Sequence, residues 1–327
     1  DADWWGAIVV REMVARLQKK DVPLNTIDCV MGSCVAHPLR APNPIRTASV
    51  LGGMPVSIPA YTLSMNCGSG TAALEFAAGR IREGSADSVL VVGMESMSRI
   101  RIAYHKTIAE LMAAASRAKT LSQKIAAAGA LYPKLIQLKN YPPEVGKILG
   151  LTDPLCDLIM GLTTENLVRD PAFDISRALQ DEYAYFSHKR VMNAEKNGYF
   201  KAEIIPVHIP RGAHYAYAGS DNGVRADISR EGLAKMKPVF DRRHGSVTIG
   251  NSSQITDGAA ALLLMEKEKA ESLGLPVMGT LGAYADVGFD PTRMGLSPAG
   301  AIAKLLKKTK RSLSDFKVVE INEAFAA

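Results

Sequence analysis

The most reactive side chains in this sequence are its four cysteines, Cys29, Cys34, Cys67 and Cys156, and only Cys67 stands where a thiol becomes a reagent. It lies in Ser64-Met65-Asn66-Cys67-Gly68-Ser69-Gly70, between a strand-like run and an Ala-rich run with helical spacing. A helix beginning near Ser69 would turn unpaired backbone N–H groups and the positive end of its dipole toward the turn, which favours thiolate over thiol. Gly68 and Gly70 would let a substrate carbonyl approach the backbone closely. The pattern predicts a nucleophile that carries an acyl group as a thioester; the alternative is a small apolar residue packed in a core. Near the other end, Asn322 and Glu323 follow the apolar run 316–321, where Asn322 reads either as a functional polar group or as a helix cap.

A nucleophile in such a turn needs a strand before it and a helix after it. Residues 61–66 supply the strand, 71–83 the helix and 87–94 a second strand, whose run of apolar residues predicts burial on both faces. Together they form a βαβ unit. Upstream, 6–20 places Ile8, Val9, Met13, Val14 and Leu17 on one helical face and Arg11, Arg16, Lys19 and Lys20 toward water. A break at 22–25 then leads to a short buried strand at 27–32. The same order of helix, turn and strand returns at 298–308, 311–315 and 316–321, an echo that suggests a duplicated α/β half. Between about 100 and 238 the chain changes to Ala-rich and Lys-rich helices, prolines and a polar loop at 219–225, which reads as an insertion outside the sheets.

Length and composition set the bounds. The 327 residues exceed the usual single domain, so two cores, or one core with a large insertion, are expected. A net charge of +6 gives a weak pull toward acidic partners such as nucleotide phosphates. The sequence has no zinc-ligand spacing, Walker loop, helix-turn-helix pattern or aromatic-rich basic patch, which sets metal and nucleic-acid binding aside. It shows no secretory leader and no apolar run of the roughly twenty residues that cross a bilayer. Sparse cysteines without a CxxC pair fit reduced thiols in an intracellular compartment.

Asn66-Cys67-Gly68-Ser69-Gly70 resembles the segment bearing the acylated cysteine of the thiolase family. Further segments follow in that family's order: Gly93-Met94-Glu95-Ser96-Met97-Ser98, Met160-Gly161-Leu162-Thr163-Thr164-Glu165-Asn166, Val247-Thr248-Ile249-Gly250-Asn251-Ser252-Ser253 with Asp257-Gly258-Ala259-Ala260, and Glu320-Ile321-Asn322-Glu323-Ala324-Phe325-Ala326. The resemblance spans nearly the whole chain. It implies an α/β fold of duplicated βαβαβ halves with stacked mixed sheets and central helices, plus a large, mainly helical loop domain. On that scheme 1–99 with 238–268 form the half carrying the nucleophile, 100–237 the inserted loop domain, and 269–327 an incomplete second half. It also implies that Cys67 attacks the ketone of a 3-ketoacyl-CoA and holds the acyl group until a second coenzyme A takes it. Coenzyme A is then a substrate, with no permanent cofactor and no metal. The backbone N–H of Cys67 suits one oxyanion hole, and Asn322 would hold a water for the other. Met160, Ile249 and Phe325 would line the pantetheine tunnel, and Ser253 and Arg225 would contact coenzyme A; read alone, the first three are core residues and Arg225 a surface charge.

The family continues past its Asn-Glu-Ala-Phe segment to a Gly-His-Pro segment with the activating histidine and a Cys-x-Gly segment with the acid/base cysteine. Neither is in this sequence, nor is the family's first strand with its Arg-Thr-Pro, so a partial record of a complete enzyme is expected. The activity expected is thiolytic cleavage in fatty-acid β-oxidation. The alternatives are a biosynthetic acetyl-CoA acetyltransferase and a non-catalytic acyl-CoA-binding protein of the same fold. Asn43-Pro44-Ile45-Arg46 resembles the family's intersubunit loop, which implies a homodimer or homotetramer. A bacterial cytoplasm or a mitochondrial matrix would suit it equally. Residues 100–151 hold eight lysines and arginines, among them Lys119, Lys124 and Lys134, against only Glu110 and Glu144. Such a region can lie on an anionic bilayer or be a solvated lysine face. It loosely resembles the membrane-associating insertion in the thiolase subunit of the fatty-acid oxidation trifunctional complex, although that subunit has His where Asn322 stands. Peripheral membrane contact and membership of a β-oxidation complex are therefore further expectations.

Overall fold

The computed structural model describes residues 1–137, 139–212 and 214–327. Helix α1 (Ala2–Gln18) buries Gly6, Val9, Val10, Val14 and Leu17 and leaves Arg11 and Arg16 in water, as the spacing requires. After it come β1 (Cys29–Ser33), α2 (Pro44–Leu51), β2 (Ala60–Leu63), α3 (Ser69–Arg82) and β3 (Ser88–Ser96). β1 pairs in parallel with both β2 and β3, so the β2-α3-β3 crossover passes over β1. Alternate residues of the strands enter two cores. Val30, Leu90, Val92 and Met94 pack with Val10, Val14 and Ile45 of α1 and α2, while Cys29, Met31, Val89 and Val91 pack with Ala73 and Ala77 of α3. This double burial explains the unbroken apolar run of β3, and each fully buried Val or Leu contributes about 1.5–3 kcal/mol. α1 lies close to the sheet because Gly6 has no side chain: a Cβ there would stand 2.3 Å from Met94 Sδ.

Residues Arg99–Ile159 form a separate compact unit. It holds β4 (Ile102–Ala103), α4 (Lys106–Arg117), α5 (Leu121–Ile136), β5 (Glu144–Val145) and α6 (Gly146–Gly150), with β4 and β5 antiparallel. His105 Nδ1 caps α4 by accepting the Thr107 N–H at 3.2 Å, and a Thr120/Gln123 capping box opens α5. Burial is slight. Ile108 is its buried apolar residue among those described, and Leu121, Ile125, Tyr132 and Ile136 of α5 are exposed.

Asp1–Ser98 and Met160–Ala327 form the other compact unit. Its later elements are α7 (Met160–Arg169), α8 (Arg177–Lys196), a hairpin of β6 (Val207–Arg211) and β7 (His214–Ala218), α9 (Arg230–Ala234), β8 (Asp257–Met265), α10 (Lys267–Ser272) and α11 (Ser297–Thr309). β8 joins β3 antiparallel and completes a mixed sheet of order β2-β1-β3-β8. The expected insertion at 100–237 is longer than the separate unit, because α7 and α8 are tied by buried polar contacts to residues 246–251 of the larger one.

The strand expected at 316–321 is corrected. These residues follow α11 at the expected place, yet they pair with no strand among those described. Val318 is 80% exposed, with Val319 and Ile321 nearly half exposed. An apolar run makes an extended chain by itself, but a strand requires a neighbour that accepts its N–H and C=O groups. The Asn43-Pro44-Ile45-Arg46 segment opens α2: Asn43 Oδ1 accepts the Arg46 N–H at 3.1 Å, and Ile45 is fully buried. No helix among the described residues is long and apolar enough to cross a membrane.

Candidate active site

Cys67 sits at the tip of the turn between β2 and α3, with its side chain exposed. Asn66 takes the left-handed conformation at φ 48°, which asparagine tolerates better than most residues. Ser69, almost fully buried, staples the turn: its Oγ accepts the Met65 N–H at 2.7 Å and donates to Asn66 O at 2.6 Å. The serine thus does the folding work inside while the thiol faces out. Gly68 is the N-cap of α3 and no side chain caps it; the Ser69 N–H donates to Asn66 O at 3.1 Å, and the positive end of the helix dipole lies beside Cys67.

The other thiols are placed differently. Burial, then the nearby Glu95 and Asp3 carboxylates, push the Cys34 thiol up to about 12. Burial raises Cys29 as well; Arg80 opposes the shift and Asp28 adds to it. Cys156 is half-buried in the smaller unit. Among the described residues no group of three or more His, Cys, Asp or Glu side chains is arranged to hold a metal ion.

Most of the remaining expected site residues are carried by segments wired to one another. Glu165, buried in α7, accepts the Ser246 and Val247 N–H groups at 2.9 Å. Asn251 Oδ1 accepts the Thr248 N–H at 2.7 Å, and its Nδ2 donates to Asp181 of α8 at 3.0 Å. The Asn251–Ser253 backbone then pairs antiparallel with the C-terminal segment: Ser253 N–H donates to Ala324 O and Ala326 N–H to Asn251 O, each at 2.9 Å. Phe325 meets Phe240 edge to face at 5.9 Å. Phe240 in turn covers Gly161, where a Cβ would stand 2.3 Å from the ring. Phe240 thus touches both Phe325 and Gly161, the residue after Met160, and Ser253 pairs with the segment that carries Phe325, while Ile249 projects outward, 60% exposed.

Helix α8 receives two further loops. Its Tyr183 hydroxyl donates to Glu323 at 2.9 Å, and its Ser187 hydroxyl bonds the other oxygen of the same carboxylate. That hydrogen bond pushes the Tyr183 phenol up, which keeps it a donor. His188 Nδ1 accepts the Arg225 N–H at 3.2 Å. A broad groove is bordered by Asn322, Glu323, Ser253 and His188; Cys67 is not among its walls. The wiring residues Glu165, Asp181, Tyr183, Ser187 and His188 are what the sequence reading missed. Glu165 alone had a signal, its place inside the Thr-Thr-Glu-Asn segment.

Sheet topology relates the two parts. Ser33 is level with Leu63 and with Gly93, and Ser96 is level with Asp257. The end of β2 that leads to Cys67 and the start of β8 that follows Ser253 therefore share one end of the sheet. That end, beyond the carboxyl ends of the parallel strands, is where α/β sheets commonly bind ligands. From β2 to β8 there are three strand spacings, roughly 14 Å at about 4.8 Å each.

Comparison with known proteins agrees with this geometry. The family model for the thiolase N-terminal domain matches residues 3–268, and that for the thiolase C-terminal domain matches residues 275–327. A probable acetyl-CoA acyltransferase of Staphylococcus aureus is 36% identical over 325 residues, 98% of this chain and 75% of the relative. A probable acetyl-CoA acyltransferase of Staphylococcus epidermidis is 35% identical over 324 residues, covering 98% and 74%. The crystal structure of the Bacillus anthracis acetyl-CoA acetyltransferase superposes with a TM-score of 0.84 at 32% identity, covering 99% of this chain and 75% of that one. The chain thus spans about three quarters of each of these three proteins. Its sheet, its cysteine turn and its matched segments together make it a member of the thiolase family.

Proposed function

We propose that this chain transfers acyl groups between carbon and the sulfur of coenzyme A through a thioester on Cys67. The observation that carries the reading is the contrast among thiols: Cys67 stands exposed at an uncapped helix start, whereas Cys34 is buried and raised to about 12. The Cys67 thiolate adds to the ketone carbon of a 3-ketoacyl-CoA, and the carbon–carbon bond to the acetyl unit breaks. The departing electron pair is protonated to give acetyl-CoA. Coenzyme A thiolate then displaces Cys67 from the acyl thioester. The Cys67 N–H donates to the first oxyanion, and Asn322 positions the water that serves the second. Met160, Ile249 and Phe325 line the pantetheine path, with Ser253 and Arg225 on coenzyme A itself. In functional terms 1–99 with 238–268 present the nucleophile, 100–237 supply coenzyme A and acyl contacts, and 269–327 bring Asn322.

The test is mass spectrometry of the full-length protein after acetoacetyl-CoA. An acyl adduct on Cys67, discharged by coenzyme A to acetyl-CoA and absent from Cys67→Ala, is expected. Coenzyme A binding with no adduct would instead mark a non-catalytic binder. We read the direction as degradative, because the Staphylococcus relatives carry the broader name of acyltransferase. Preference for two-carbon condensation across a chain-length series would favour the biosynthetic alternative, the activity named for the Bacillus anthracis structure.

A homodimer is supported by β2, an edge strand with one side unpaired among the described residues and Tyr61 exposed along it. Light scattering at micromolar concentration should report a dimer or tetramer. Peripheral contact with an anionic bilayer is supported by the exposed Leu121, Ile125 and Ile136 of α5 in a region rich in lysine. Flotation with cardiolipin-containing vesicles at low salt checks it.

A further inference from the structure

The polar loop at 219–225 is held at two points. Gln254, next to Ser253, donates from Nε2 to Gly223 O at 2.6 Å. The Arg225 N–H donates to His188 Nδ1 at 3.2 Å, from a histidine set in the middle of α8. The two ties come from elements already fixed by other bonds: Gln254 continues the segment paired with 324–326, and α8 is clamped by Asp181 to Asn251. The loop is therefore referenced to the same framework as Ser253 and Phe325, and its last residue carries a guanidinium.

We propose that His188 is a positioning residue for coenzyme A, whose neutral imidazole accepts the Arg225 N–H and so aims the Arg225 side chain at a phosphate of the ligand. The proposal rests on the reading of Arg225 as a coenzyme A contact. His188 does not touch the reacting atoms. Its contribution is to fix a backbone that would otherwise swing, so that Arg225 meets the phosphate with less conformational entropy left to lose. The arrangement works only for one protonation state. An imidazolium carries hydrogen on both nitrogens and can accept nothing at Nδ1. The charged groups facing His188 are the Arg225 guanidinium from the loop and the Glu323 carboxylate from the C-terminal segment; burial and then Arg225 lower its pKa, against the pull of Glu323. The latch is therefore closed at neutral pH and opens as pH falls through a value below the ordinary histidine pKa of about 6.5.

The experiment is calorimetric titration of the full-length protein with coenzyme A at about pH 7.5 and in steps down to about pH 4.5. At the higher pH, His188→Ala should raise Kd about three- to tenfold, the worth of one backbone hydrogen bond. His188→Asn places Oδ1 where Nδ1 stands and should restore Kd to within about twofold. On acidification the wild type should weaken more than His188→Asn, by a factor that grows as pH falls and is bounded by the factor lost in His188→Ala. Ionisation of coenzyme A's own phosphates affects both proteins alike, so the difference isolates the histidine. Arg225→Ala tests the underlying reading and should raise Kd about tenfold or more. If Arg225→Ala weakens binding while His188→Ala does not, or if His188→Asn fails to rescue or shares the wild-type pH response, the positioning role is overturned alone. If Arg225→Ala leaves Kd unchanged, the Arg225 contact falls and the positioning role falls with it.

Discussion

Two stretches of this chain repeat one local pattern and reach opposite ends. In the first, α1 leads through a turn to β1; the helix buries eight residues and the strand is buried throughout, between β2 and β3. In the second, α11 leads through a turn to residues 316–321; the helix buries none, and Val318, Val319 and Ile321 are exposed. Both helices form, because a helix satisfies its backbone within one segment. Among the described residues only the first run is paired as a strand, since a strand is a relation between two segments. Sequence pattern therefore sets what a segment offers, and neighbours decide whether the offer is taken.

The sharpest test of the contrast is thiol labelling. At about pH 8 a thiol whose pKa is about 12 is ionised roughly one part in ten thousand, so Cys34, behind β1, should stay unlabelled by iodoacetamide until the protein unfolds. Ionisation rises tenfold for each pH unit gained below that value, so protection weakens toward alkali. Exposed Cys67 should label in the folded protein, as peptide mass spectrometry would record. Comparable rates at the two sites without denaturant would mean that the paired half opens readily, and the comparison breaks.

A smaller effect is expected from packing. Leu90→Ala, at a fully buried position of β3, should lower unfolding free energy by about 2–5 kcal/mol in urea titrations. Smaller again is Glu165→Gln, which keeps the shape but not the charge that accepts the Ser246 and Val247 N–H groups; about 1–3 kcal/mol is expected, with weaker coenzyme A binding through the displaced Ser253 segment. Least of all, Val318→Ser should shift stability by no more than about 0.5 kcal/mol, since the side chain is exposed. A loss of about 1 kcal/mol or more there would reveal a neighbour covering the run, and the second stretch would then behave like the first.

The same distinction explains what the sequence disclosed. The face of α1, the apolar run of β3 and the Cys67 turn were legible because each is written in a few consecutive residues. The bond from Glu165 to Val247 spans 82 positions, and the tie from His188 to Arg225 spans 37; the Thr-Thr-Glu-Asn segment marks Glu165, but nothing local says which distant residue either partner meets. The strand at 257–265 has no such local signature, because an Ala-rich run suits helix and strand alike. Residues 316–321 carry the apolar pattern of a strand but pair with none among the described residues. Homodimer and the roles of Asn322 and Arg225 rest on resemblance, and membrane contact on the lysine-rich composition of 100–151 with a looser resemblance; light scattering, flotation and Arg225→Ala test three of the four.

The mixed sheet has one more consequence. Because β8 runs antiparallel to β3, the strand that follows Ser253 begins at the end where β2 finishes, with two strands in between. On the proposed assignment the sheet is a ruler: its strand count sets the reach a ligand needs to engage the thiol at one mark and the anchoring loops at the other. A truncated thioester, with the sulfur but without the nucleotide, would meet only the first mark. It should acylate Cys67 with undiminished intrinsic reactivity yet lose the residence that anchoring provides, so length becomes a selectivity filter laid down by the number of strands.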